Sequence, residues 1–126
     1  MLLLDGNHLT LAQLLAIADR GEPVSIAPDA AARVQASRAV VEQRARGPEP
    51  AYGINTGFGS FAEVRIDATQ IETLQVNLLR SHAAGVGEPL PQRAVRAAMA
   101  LRANVLAKGY SGISLATLEA LDAMQN

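Results

Sequence analysis

Two side chains in this 126-residue chain could move or read a proton where the sequence places them. Tyr52 stands before Gly53, Gly57 and Gly59 in the stretch AYGINTGFGS. The whole chain holds only two tyrosines, two phenylalanines and no tryptophan. A loop that only had to turn would not need Tyr52 and Phe58. A free phenol titrates near about 10, so it acts as a base only when held close to its target in a donor-rich, water-poor setting. A closing loop supplies that setting. Asn55 and Thr56 bring donors and acceptors close to the backbone, and Ile54 and Phe58 can pin the loop ends into apolar neighbours. A tethered loop with one titratable phenol reads as an active-site lid. The plainer reading of the glycines is a turn that needs positive φ. Their spacing, G-x-x-x-G-x-G, is neither a P-loop nor a dinucleotide fingerprint, and no lysine follows where a phosphate site needs one.

His82 is the second such group. It ends an apolar helical face just before Ala83-Ala84-Gly85-Val86-Gly87. Two readings are open: a partly buried helix-end histidine that meets exposed carbonyls, or an imidazole facing a ligand where small neighbours leave room. His8 falls in the entry turn of the first helix and carries no assignment. Two histidines so placed make no metal site, and the absence of cysteine removes thiolate sites and disulfides.

Several elements must position these groups. Thr10-Leu11-Ala12-Gln13 reads as a capping box, followed by Leu11, Leu14, Leu15 and Ala18 at helical spacing, with Gly21 and Pro23 as the stop. Val24-Ser25-Ile26 is at most a short strand. Pro28 opens a helix that Gly47-Pro48 breaks, and its Arg33, Arg38, Glu42, Arg44 and Arg46 read as a solvated face. Asp67 and Gln70 signal a second cap, before the stripe Ile71, Leu74, Leu78 and His82. Pro91 opens a fourth helix with Val95, Ala98, Met99 and Leu106 as its expected buried stripe and Gly109 as its stop. A fifth, from Ser114, carries Leu115, Leu118, Leu121 and Met124. The expectation is a mainly α fold of about five helices with a glycine-rich loop.

Apolar residues make up 49% of the chain and aromatics 3%, which fits a core of small aliphatic side chains packed between helices. The net charge of −1, with both signs interspersed, gives no basic face for nucleic acid. MLLLDG is too short for a signal-peptide core, and no apolar run has the length of a membrane span. A cytoplasmic location is the expectation. The last helix has no stop signal, which reads as a piece of a longer chain or as a frayed natural terminus.

YGINTGFGSFAEVRI, then LQVNLLRSHAAGVGEPLP, then LRANVLAKGYSG closely resemble the N-terminal part of the aromatic amino acid ammonia-lyases. LDGNHLTLAQLLAIA and SRAVVEQ fit as well, so the likeness spans the chain, and it is greatest to the family's histidine-specific branch. The resemblance implies a largely helical homotetramer that eliminates ammonia from L-histidine to give trans-urocanate. It implies an electrophilic 4-methylideneimidazol-5-one (MIO) cofactor formed from an internal Ala-Ser-Gly. Tyr52 matches the family's β-proton base, and His82 the position that distinguishes its substrates. Gly53, Asn55, Thr56, Gly57, Phe58 and Gly59 match its mobile loop.

Two departures stand against that pattern. Ala-Ser-Gly occurs nowhere in the 126 residues, and Ser60-Phe61 is unusual after the loop. The chain is therefore expected to be a segment truncated before the electrophile and the central helical bundle, inactive alone. It is also expected to self-associate through faces that include Val95, Met99, Leu106, Leu118 and Leu121. Phenylalanine or tyrosine lyases and aminomutases of the same family are the alternative enzymes. A stand-alone helical binding domain is the alternative of another class.

Overall fold

The computed structural model describes residues 1–67 and 69–126. Five α-helices and a small parallel sheet make up its regular structure: β1 (Leu2–Leu4), α1 (Leu11–Arg20), β2 (Val24–Ile26), α2 (Pro28–Arg46), α3 (Ile71–His82), α4 (Gln92–Leu106) and α5 (Leu115–Gln125). The chain divides into two compact units. Residues 1–39 and 89–126 form the first and residues 40–88 the second, so α2 begins in one and ends in the other.

In the first unit β1 and β2 pair in parallel, with Leu2 opposite Val24 and Leu4 opposite Ile26. Parallel neighbours need a crossover, and α1 is that crossover. Its N-terminus is held by the expected capping box: Gln13 N–H donates to Thr10 Oγ1 at 3.2 Å, and Thr10 N–H donates to Gln13 Oε1 at 2.8 Å. Gly21 ends it at φ 66°, the left-handed cap that glycine adopts without strain. β1 went unforeseen, because three leucines are too few to show a period.

The core lies where α1 and α5 meet α4 and where α5 meets β2. Leu4, Ile17, Val24, Val34 and Leu118 are almost fully buried there. On α4 the buried face is Ala100, Ala103 and Leu106, which corrects the expected stripe: Ala98 is exposed and Val95 stays 39% exposed. Alanines allow helix axes to approach closely, so the small residues go inward while Leu101 and Val105 remain on the outside. Leu106 and Leu118 are thereby consumed inside the unit rather than left bare. On α5, Gln125 is buried where Met124 was expected, and Met124 is exposed.

Two arginines of α2 also depart from the expected solvated face. Arg33 donates to the carbonyl of Asp5 at 2.7 Å, and Arg38 to that of Gly112 at 3.4 Å, so both satisfy loop backbone. At the far end of α5 the Asn126 carboxamide accepts from Val24 N–H at 2.8 Å and donates to Val24 C=O at 2.9 Å. Among the described residues no helix is long and apolar enough to cross a membrane.

Candidate active-site loop

The second unit carries both chemically distinctive residues. Tyr52 opens a tight turn in which Ile54 and Asn55 N–H groups both donate to the Ala51 carbonyl, at 3.0 and 3.2 Å. Gly53 takes φ 72° within it, a conformation a Cβ would strain. The Tyr52 ring is 65% exposed and meets the Phe58 ring edge-to-face, with centroids 5.8 Å apart. Phe58 thus braces the phenol within the loop. No described residue hydrogen-bonds the Tyr52 hydroxyl.

Behind this exposed ring Asn55, Thr56 and Gly57 are buried. Asn55 and Thr56 have no solvent exposure. The Asn55 carboxamide accepts from Ala51 N–H at 2.7 Å and donates to the carbonyls of Arg44 at 3.2 Å and Glu49 at 3.0 Å. Thr56 Oγ1 accepts from Gly53 N–H at 3.3 Å and donates to Gly57 C=O at 3.0 Å. Residues 56 and 65 form an isolated antiparallel bridge, closed by Gly57 N–H to Val64 C=O at 3.1 Å and Ile66 N–H to Asn55 C=O at 2.8 Å.

Each glycine has its own reason. Gly59 takes φ 59° and starts a single 3-10 turn at Gly59–Phe61. Gly57 is required by proximity, since a Cβ there would lie 2.6 Å from Phe61 Cβ. Ser60-Phe61, the departure noted in the sequence, is therefore the turn against which Gly57 packs.

α3 starts at Ile71 with Gln70 as its N-cap and no side-chain cap. This corrects the capping role given to Asp67. Its carboxylate instead accepts from Thr69 N–H at 2.9 Å and Thr69 Oγ1–H at 2.6 Å, the short-range turn that aspartate favours. Those two donors, hydroxyl first, hold its acid below the usual carboxylate range. Ile71, Leu74 and Leu78 are half-buried along the stripe the spacing indicated, yet no residue of α3 is fully buried.

His82 closes α3 and is exposed. Its Nδ1 lies 3.0 Å from the Leu78 carbonyl and 2.8 Å from Ser81 Oγ, while Ser81 Oγ lies 2.9 Å from the same carbonyl. With the proton on Nδ1 the ring donates to that carbonyl and leaves Nε2 as an acceptor; with the proton on Nε2, Nδ1 accepts from Ser81 Oγ–H instead. The helix-end carbonyl contact exists, and it occupies one ring nitrogen only. Among the described residues no three His, Cys, Asp or Glu side chains come together as a metal site.

Sequence reasoning missed the return segment Val64-Arg65-Ile66 and the docking of Asn55 on α2. A β-branched alternation at 64–66 was the available signal for the first. The second had none, since its partners are backbone carbonyls.

The sequence profile of the aromatic amino acid lyases matches residues 9–126. Histidine ammonia-lyase of Myxococcus xanthus is 56% identical over 117 residues, which are 93% of this chain and 23% of that protein. Among solved structures, histidine ammonia-lyase of Trypanosoma cruzi superimposes with a TM-score of 0.84 at 43% identity, over 97% of this chain and 24% of that one. Tyrosine aminomutase of Streptomyces globisporus gives 0.91 at 35% identity, over 99% and 24%. The chain thus spans about a quarter of the length of each.

Proposed function

From the premise that this chain belongs to the aromatic amino acid lyase family, we propose that it forms the N-terminal part of a histidine ammonia-lyase. The whole enzyme eliminates ammonia from L-histidine to give trans-urocanate. One observation carries the reading: a phenol whose hydroxyl has no bonded partner stands on a turn anchored by the buried Asn55 and Thr56, in a chain 56% identical to a histidine ammonia-lyase.

The β-proton of an amino acid is weakly acidic, so a base must be close, aligned and shielded from water. Tyr52 is that base. Phe58 limits the swing of its ring. His82 reads the substrate side chain: with Nδ1–H turned to the Leu78 carbonyl, Nε2 accepts from the substrate imidazole N–H.

The MIO cofactor of the family needs an Ala-Ser-Gly that these 126 residues do not contain. The chain's share is therefore base and recognition rather than electrophile, and alone it is inactive. In the whole enzyme the expected assembly is a homotetramer.

An aminomutase reading is favoured by the likeness to tyrosine aminomutase. The 56% identity to a histidine ammonia-lyase opposes it, whereas an imidazole acceptor at His82 would serve a phenol O–H as well as an imidazole N–H.

The test is Tyr52→Phe in the full-length enzyme, followed by urocanate absorbance. The ring still packs on Phe58, so folding and KM should change little while kcat falls at least about a hundredfold. A kcat within a few-fold of the parent would remove Tyr52 from the base role.

A further inference from the structure

We propose that Asn55 is the positioning residue for Tyr52, through a three-point carboxamide clamp that fastens the base's turn to the end of α2. The inference rests on Tyr52 being the base. Among the described residues Asn55 makes no hydrogen bond to the phenol, yet it has no solvent exposure and uses its whole carboxamide. Oδ1 takes the N–H of Ala51, the residue immediately before Tyr52, at 2.7 Å. Nδ2 gives its two hydrogens to Arg44 C=O, in the last turn of α2, and to Glu49 C=O, in the proline-rich link that follows. The backbone of Asn55 adds a bond at each side, donating to Ala51 C=O and accepting from Ile66 N–H.

One side chain therefore joins three stretches of chain, the helix end, the link and the turn bearing Tyr52, and the same residue's backbone adds the return segment. Ala51 is held at both its N–H and its C=O by the same residue. The position of the Tyr52 Cα then follows the end of α2, and the ring's remaining freedom is its own torsions, which Phe58 narrows. Aspartate at this position would keep one acceptor for Ala51 but would turn an oxygen toward two carbonyls, replacing attraction by repulsion. Serine is too short to span all three partners.

This geometry gives a signature that plain stability does not. A displaced base loses transition-state contact more than ground-state binding, so the loss falls on kcat rather than KM. It also requires the base: once the hydroxyl is gone, its placement no longer matters.

The experiment uses the full-length enzyme with L-histidine, parent against Asn55→Asp, Asn55→Ser, Tyr52→Phe and each Asn55 change combined with Tyr52→Phe. Rates are expressed per folded protein from far-UV circular dichroism, and Asn55→Ser serves where Asn55→Asp does not fold. Expected is a kcat about ten- to a hundredfold lower in the single Asn55 variants with KM within about twofold. On the Tyr52→Phe background the same change should cost less than about threefold. Losses that multiply across the two positions, or Asn55 variants as fast as the parent, would overturn the clamp while leaving Tyr52 as the base. Parent-like kcat in Tyr52→Phe would overturn both readings.

Discussion

Gly57→Ala tests whether the loop bearing Tyr52 is closed by close packing. The added Cβ would lie 2.6 Å from Phe61 Cβ and 3.1 Å from the Phe61 carbonyl oxygen. Carbon atoms rest at about 3.5–4.0 Å, so the methyl intrudes by roughly an ångström. Phe61 Cβ is fixed to the backbone and cannot swing aside as a side-chain tip can. Overpacking of this kind costs about 1–3 kcal/mol. The cost falls on the bridge between residues 56 and 65, whose bonds run from Gly57 N–H and Ile66 N–H. If it is expressed as local opening, the Ile66 amide should exchange roughly 5- to 150-fold faster, read by hydrogen-exchange mass spectrometry on the full-length protein. Phe61→Gly in the Gly57→Ala background removes the nearest obstacle and should restore part of the protection. Phe61→Ala keeps the Cβ and should restore none. Unchanged exchange in Gly57→Ala, or recovery with Phe61→Ala, would refute the steric argument.

In the full-length enzyme His82→Leu should lower kcat/KM for histidine about 5- to 150-fold, the effect of about 1–3 kcal/mol for an unpaired buried nitrogen. Phenylalanine should gain or hold, and an equal loss on both substrates would mean that His82 supports the helix end only. Asp122 has one carboxylate oxygen buried without a partner, and burial, then Glu119, raises its acid above the usual range. Its charged form is thus disfavoured in the folded state, and stability contributed by the protonated form is lost as pH rises from the ordinary carboxylate value through the raised one. Asp122→Asn should therefore raise the melting temperature at pH 7, with the gain shrinking as pH falls through the raised value and gone below about pH 4. An equal gain at pH 3 and pH 7 would assign the effect to packing.

Signals that act within a few residues were legible in the sequence. Thr10 with Gln13, Gly21, and Pro28 with Gly47 mark the bounds of α1 and α2 because caps and breakers act locally. The stripe Ile71, Leu74, Leu78 and His82 was legible as a face because its large side chains alternate with polar ones. α4 misled because its apolar positions outnumber those of one stripe and half of them are alanine. Ranking by size picks Val95, whereas close helix packing selects Ala100 and Ala103. Asp67 misled because the same side chain serves a cap or a local turn, and Thr69 supplies the donors that favour the turn. At the loop, Tyr52 and the glycines are visible as types out of place. The clamp of Asn55 is not, since side chains carry no trace of which backbone carbonyls they will meet.

The first unit is split in sequence, and that has a consequence for how the chain is made. Leu4, Ile17 and Val24 leave the ribosome early, but the Leu106 and Leu118 side chains that share their core lie beyond the whole second unit. Roughly 100 residues separate Ile17 from Leu118, which at about 5–20 residues per second is roughly 5–20 s of synthesis. During that interval the contiguous stretch 40–88 can fold while the earlier leucines and valines stay uncovered. Nascent chains halted just before Leu118 should hence bind holdase chaperones through their first thirty residues, although the turn bearing Tyr52 has all its partners in place.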